Sequence, residues 1–179
     1  MNFNEVTRRE ETVYEGKIIR VRRDEVELPN RRSTVREVVE HSGGAAVLVA
    51  KEGKIAFVRQ FRYPYKRVLL ELPAGKLNPG EDPERCAMRE LTEETGLISN
   101  SLVSMGKLYP SPGYTDEVIH LYMALNAAQG EQNPDEDEFV SVEWLDETTV
   151  KAMLRNCEIE DAKTVAALSH YFLFYCEKI

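Results

Sequence analysis

Residues 75–97 read GKLNPGEDPERCAMRELTEETGL, and the reading of this stretch decides the rest. It begins as a loop, with Gly75, Asn78, Pro79 and Gly80, and then turns helical. Asp82 stands where an N-cap belongs, Pro83 fits the first helical position, and Gly96 supplies a left-handed stop. Ala87, Met88 and Leu91 give the helix an apolar face. Glu90 and Glu94 lie one turn apart on the same side, with Glu93 beside them, while Glu81 can fold back on the first turn. Like charges at this spacing destabilise a helix by roughly a few tenths of a kcal/mol in the open, and by more when partly buried. Only Arg89, four residues before Glu93, is placed to relieve them. An isolated ExxEE is more often a wet face, because Glu is a good helix former. A divalent cation would remove the repulsion altogether, and oxygen ligands suit Mg²⁺ or Mn²⁺.

Upstream, the first forty residues alternate in period two with many charges. Ile19–Val21 and Val26–Leu28 read as strand pieces, Pro29–Asn30 as a turn, and Val35–Glu40 as a returning strand. The run AAVLVA at 45–50 and the run from Ile55 to Arg59 form a hairpin of buried strands, and Val68–Leu72 is a further strand. Downstream, Leu102–Tyr109, Val118–Leu125 and Phe139–Leu145 read as strands, and residues 126–138 as a polar, acidic connection. Asp146 caps a short helix to Arg155, and a longer helix spans Asp161–Tyr175 with Val165, Leu168, Phe172 and Tyr175 facing inward. Strands and helices interleave without the regular alternation of a parallel fold, which predicts an α/β chain with a mixed sheet flanked by helices.

The 179 residues suffice for one compact domain with a small appended element. A formal charge of −8 argues against a nucleic-acid partner, whose phosphates would be repelled. Bound cations could still reverse the charge locally for a small phosphate compound. Cys86, Cys157 and Cys176 are too few and too scattered for a disulfide framework. With no signal peptide and no apolar run of membrane-spanning length, the expected location is the cytoplasm, without a membrane partner. Cys86 is expected to be a packed, inert thiol and Trp144 a core residue, and the three histidines show no ligand spacing.

The spacing Gly75, Glu81, Arg89-Glu90-Leu91, Glu93-Glu94, Gly96-Leu97 resembles the Nudix box at all nine of its defined positions over twenty-three residues. The resemblance implies the Nudix fold, a mixed sheet sandwiched between helices, with an N-terminal antiparallel β layer at 1–42 and a hydrolase domain at 43–179. It implies two to three Mg²⁺ or Mn²⁺ ions. Glu90, Glu94 and the Ala74 carbonyl would be ligands, Glu81 and Glu93 further ligands or orienting groups, and Arg89 the fixer of a carboxylate. Such cations neutralise the substrate, polarise phosphorus and activate water.

The flanks narrow the substrate. Pro112 lies sixteen residues after Gly96, and the stretch around it, Ser111-Pro112-Gly113-Tyr114-Thr115-Asp116-Glu117, resembles the SPG-x-[ST]-x-E element of bacterial ADP-ribose pyrophosphatases. By that resemblance Glu117 would bond ribose hydroxyls, and Ser111, Pro112 and Gly113 would line the pocket; read alone, the tripeptide is a turn. Arg62 closes a stretch similar to the family's RQxR strand and would reach the diphosphate with its paired donors. Arg36 and Glu37 resemble a pair that approaches adenine. The acidic run at 134–138 reads alone as a solvated loop. In the family it carries the base, which alignment puts at Glu136 or, one residue on, Asp137, with Glu138 a metal contact. The implied reaction is in-line attack of water on one phosphorus of ADP-ribose, giving AMP and ribose 5-phosphate, in a homodimer. GDP-mannose or another nucleotide sugar is the alternative substrate. A non-catalytic ADP-ribose-sensing domain is the alternative class; such domains often lose a box glutamate, and this chain keeps all of them.

Overall fold

The computed structural model describes residues 3–133 and 139–176, which form two compact units, Met1–Gly43 with Tyr109–Val118, and Gly44–Leu108 with Ile119–Ile179. In the first unit, β1 (Val6–Glu15), β2 (Arg20–Glu27) and β3 (Ser33–Glu40) make an antiparallel sheet in that order. Arg20 and Arg22 both reach across to Glu40 on β3, and Arg22 also holds the buried Asp24 of its own strand at 2.8 Å. β1 carries no strand signal of its own in the sequence. All ten of its residues are exposed, so neither face carries the apolar alternation by which a half-buried strand is recognised. The 109–118 segment is fastened to β3 through its backbone, with Val39 N–H donating to Tyr114 O (2.7 Å) and Asp116 N–H to Val39 O (3.1 Å).

The second unit contains β4 (Gly44–Lys51), β5 (Lys54–Arg62), β6 (Arg67–Glu71), β7 (Ala74–Lys76), α1 (Pro83–Thr95), β8 (Leu97–Ile98), β9 (Leu102–Leu108), β10 (Ile119–Ala124), β11 (Ala128–Gln129), β12 (Val140–Asp146), α2 (Glu147–Arg155) and α3 (Ala162–Phe174). Its main sheet runs β12-β5-β4-β10-β9, with β6 added to β5 and β7 to β4. The β4–β10 pair is parallel and the others are antiparallel, so the expected mixed sheet is present. AAVLVA is continuously apolar because both of its faces are covered. Ala46 and Leu48 join Ile55 and Phe57 against Val150 of α2 and Ala167, Leu168 and Tyr171 of α3. Ala45, Val47 and Val49 join Ala56 against Cys86, Ala87 and Leu91 of α1. Trp144 is half-buried at the margin of that second cluster.

The inward face of α3 holds Leu168 as expected, with Val165, Phe172 and Tyr175 packed against the core, but it also takes in polar residues. Lys163, Thr164, Ala167, Leu168 and Tyr171 are buried, whereas Val165, Phe172 and Tyr175 are only partly covered. Polar bonds turn the helix: Asp161 caps it by accepting from Thr164 N–H (3.0 Å) and Oγ1 (2.6 Å), and Thr164 Oγ1 accepts from Leu72 N–H (2.9 Å). Apolar spacing alone does not show that a Thr and a Lys have partners inside. No helix among the described residues is long and apolar enough to cross a membrane.

The ends of α1 follow the expected punctuation. Asp82 Oδ1 accepts from Glu84 N–H (3.0 Å) and Arg85 N–H (3.2 Å), and Gly96 closes the helix at φ 71°. Asp82→Ala is expected to lower stability by about 1 kcal/mol through loss of the cap, read as a reduced urea midpoint with an unchanged slope.

Candidate active site

Three local devices hold α1 beside the loop that precedes it. Strand β7 pairs antiparallel with β4, setting Ala74 opposite Ala46 and Gly75 opposite Ala45. Ala74 N–H donates to Glu94 Oε2 at 2.8 Å, which ties the last turn of the helix to the start of the strand. Asn78 N–H donates to Glu81 Oε2 at 2.9 Å and so folds Glu81 back. A side chain on Gly75 would overlap the Glu90 carboxylate, so the glycine is needed for close approach.

Around this frame the carboxylates gather on one guanidinium. Arg89 Nε donates to Glu81 Oε1 (2.9 Å), its Nη1 to Glu90 Oε1 (2.6 Å) and Glu93 Oε2 (2.9 Å), and its Nη2 to Glu81 Oε2 (3.0 Å). Hydrogen bonding from Arg89 brings the Glu81 carboxyl down to about 2, and Glu81 in turn raises the guanidinium. Glu90 and Glu94 are buried, at 7% and 2% exposure. Cys86 is buried one turn before Glu90, and burial, with the Glu90 charge behind it, pushes its thiol up to about 12. That is an inert thiol at neutral pH.

Three carboxylates on one guanidinium leave a formal excess of two negative charges, with Glu94 one helical turn from Glu90. Among the described residues no three acidic, imidazole or thiol groups converge closely enough to hold an ion as they stand. The guanidinium stands in for one, as the cation to which the carboxylates turn. Hard oxygen donors, surplus negative charge and a backbone cradle without a Cβ all fit a divalent ion of the Mg²⁺ or Mn²⁺ type.

A second ionic group was missed in the sequence. Arg62, at the end of β5, forms a two-point pair with Glu71 on β6, Nε to Oε1 at 2.7 Å and Nη2 to Oε2 at 2.6 Å, and Lys163 Nζ binds the same Oε2. Burial pushes the Glu71 carboxyl up, but Arg62 and Lys163 outweigh it and bring it to about 2. The available signal was a lone acid inside the apolar run Val68–Leu72.

The first unit holds the remaining described candidates. Arg36 and Glu37 lie on β3, and the Arg36 guanidinium is held by Glu5 at 2.6 and 3.0 Å. Ser111 O accepts from Tyr114 and Thr115 N–H, both at 3.2 Å, which makes Ser111-Pro112-Gly113 a tight turn. Glu117 N–H donates to Thr115 Oγ1 (3.2 Å), and its carboxylate lies 3.4 Å from His41 Nδ1. Glu136, Asp137 and Glu138 lie outside the described residues.

Comparison with known proteins fits this geometry. A model of the NUDIX domain matches residues 40–168. The chain belongs to the Nudix family. A second model, of the nucleoside diphosphate sugar hydrolase N-terminal domain, matches residues 5–39 of this Nudix chain. An ADP-ribose pyrophosphatase of Bacillus subtilis is 41% identical over 94% of this chain and 93% of its own. A methanol dehydrogenase activator of Bacillus methanolicus is 39% identical over 94% and 92%. A solved structure of an ADP compounds hydrolase superposes with a TM-score of 0.85 at 21% identity, covering 97% of this chain and 95% of that one, which shows the shared fold. Nudix hydrolases generally use divalent metal ions.

Gly75→Ala is expected to displace the Glu90 carboxylate and weaken Mn²⁺ binding by about tenfold while leaving the thermal midpoint nearly unchanged. Calorimetric titration checks this, and equal affinity in the two proteins would deny Gly75 its part in the site.

Proposed function

We propose that this Nudix chain hydrolyses the diphosphate of ADP-ribose to AMP and ribose 5-phosphate. The observation that carries the reading is the set Glu81, Glu90 and Glu93 around Arg89, with Glu94 bonded to Ala74. A surplus of buried acid beside a backbone cradle suits cations that accompany a diphosphate, and the Bacillus subtilis relative bears an ADP-ribose pyrophosphatase name.

Glu90, Glu94, Glu81 and the Ala74 carbonyl would hold two to three Mg²⁺ or Mn²⁺ ions, with Glu138 a further contact and Glu93 an orienting group. The cations, when bound, neutralise the diphosphate and acidify water. The water oxygen bonds to one phosphorus, the bridging P–O bond breaks, and AMP and ribose 5-phosphate share the anhydride's two halves. Glu136, or Asp137 beside it, takes the water proton. Arg89 fixes the carboxylates in orientation through its ion pairs, and Arg62 is assigned to the diphosphate. Arg36 and Glu37 are assigned to adenine, and Ser111, Pro112, Gly113 and Glu117 to ribose.

A second substrate reading is favoured by one observation. The match of residues 5–39 to a nucleoside diphosphate sugar hydrolase N-terminal domain suits GDP-mannose or another nucleotide sugar equally well. Steady-state comparison with Mg²⁺ separates them: ADP-ribose is expected to give the higher kcat/KM, and a preference for GDP-mannose would end the assignment. In the same panel, Glu94→Gln is expected to lose turnover with its fold intact.

The reading includes an N-terminal β layer at 1–42, a hydrolase domain at 43–179, a homodimer and a cytoplasmic setting. Free cysteines at 86, 157 and 176 support the last. The ten exposed residues of β1 support the dimer, since a long uncovered strand is rarely left to solvent. Light scattering at micromolar concentration should give twice the chain mass; a fully active monomer would remove the dimer from the proposal.

A further inference from the structure

The buried ionic group behind Arg62 has no part in the reaction as described so far. Glu71 is 1% exposed as a side chain and Lys163 9%, whereas Arg62 keeps 37% of its side chain in solvent. Burying such a cluster is a poor way to gain stability, because desolvation offsets the attraction and apolar residues of the same volume often serve as well. Its geometry, however, is specific. Both oxygens of Glu71 are used on Arg62, which fixes the plane of the guanidinium. Lys163 holds Oε2 from α3, so the carboxylate cannot turn without losing a second partner. Lys163 is in turn held by Asp161 at 3.1 Å, the residue that caps α3. Arg62 and Lys163 against Glu71 and Asp161 make a formally neutral set, so its contribution is orientation rather than net charge.

The set also reaches the metal-type site. Leu72, next to Glu71, donates its N–H to Thr164, and two residues later Ala74 donates its N–H to Glu94. Glu94 acts electrostatically on Arg62 as well. Within the described residues Arg62 Nη1 makes no hydrogen bond, while its Nε and Nη2 are spent on Glu71.

We propose that Glu71 and Lys163 are positioning residues that pin one edge of Arg62 and so present Nη1 to the diphosphate of the substrate. The proposal rests on the reading that Arg62 serves the diphosphate. It assigns α3, a helix without box residues, a part in substrate binding.

The test is a double-mutant cycle on the full chain, with melting curves to establish folding. Steady-state kinetics with ADP-ribose and Mg²⁺ are measured for wild type, Arg62→Ala, Glu71→Gln and the double variant. Binding of inorganic pyrophosphate with Mg²⁺, the group common to all nucleoside diphosphate sugars, is measured by calorimetry for the same four. Glu71→Gln is expected to raise KM, and the pyrophosphate Kd, by about tenfold with kcat changed much less, and to have no further effect once Arg62 is Ala. Lys163→Met should follow Glu71→Gln in smaller measure, and Lys163→Arg should restore most of the affinity. If Glu71→Gln folds poorly, Lys163→Met takes its place in the cycle. Multiplying single effects in the double variant, or a lowered melting point with unchanged KM and Kd, would overturn the proposal. An Arg62→Ala variant with wild-type KM and Kd would overturn it together with the role given to Arg62. Absence of ADP-ribose turnover in the wild type would sink the substrate reading alone, and the pyrophosphate cycle would still decide this one.

Discussion

The crowding of Glu81, Glu90 and Glu93 on Arg89 is the constraint on which the rest of the site depends. Two like charges at roughly 4 Å repel by about 4 kcal/mol at an effective dielectric of about 20, and Glu90 and Glu94 are both buried. A helix cannot carry such a set against a sheet unless positive charge stands among the acids. In this structure one guanidinium supplies it with four donor contacts of 2.6 to 3.0 Å. The compensation is partial, and in the function proposed for this chain the surplus negative charge would draw cations to the site. With cations bound there, a protein of net charge −8 would accept a diphosphate.

The scaffold makes that crowding tolerable by fixing every neighbour of the acids. β4 is covered on both faces, so the sheet beneath α1 is rigid and offers no alternative register. Glu94 is anchored to Ala74 and Glu81 to Asn78, so two of the acids are satisfied by backbone donors before any ion is considered. Gly75 leaves room for Glu90, and a Cβ there would make the Glu90 carboxylate move from its place. Apolar packing and polar anchoring meet in the short stretch from Glu71 to Lys76. There the chain passes from a strand bonded to α3 into one bonded to α1.

Much of this was legible in the residues themselves. The box from Gly75 to Leu97 carries its own caps, glycines and acids at fixed separations, and local rules read each of them. The buried strands β4 and β5 announced themselves by continuous apolar runs. Three features stayed hidden, for one shared reason. β1 has no buried face, the inner side of α3 is set by Lys163 and Thr164, and Glu71 sits in an apolar run. For α3 and Glu71 the decisive partner is far along the chain, for β1 neither face is covered, and periodicity reports only local exposure.

By itself, then, the sequence determined which residues cap, turn and crowd: the helix bounds at Asp82 and Gly96, the acid spacing, and the membership of the Nudix family that rests on it. Only the tertiary structure decided how the acids share Arg89, that Glu90 needs the bare backbone of Gly75, and that Arg62 is tied through Glu71 to Lys163 on α3. The division is physical. Caps and helical spacing are fixed by bonds within a few residues, whereas Glu71 and Lys163 are 92 positions apart and meet only because the core brings β6 and α3 together.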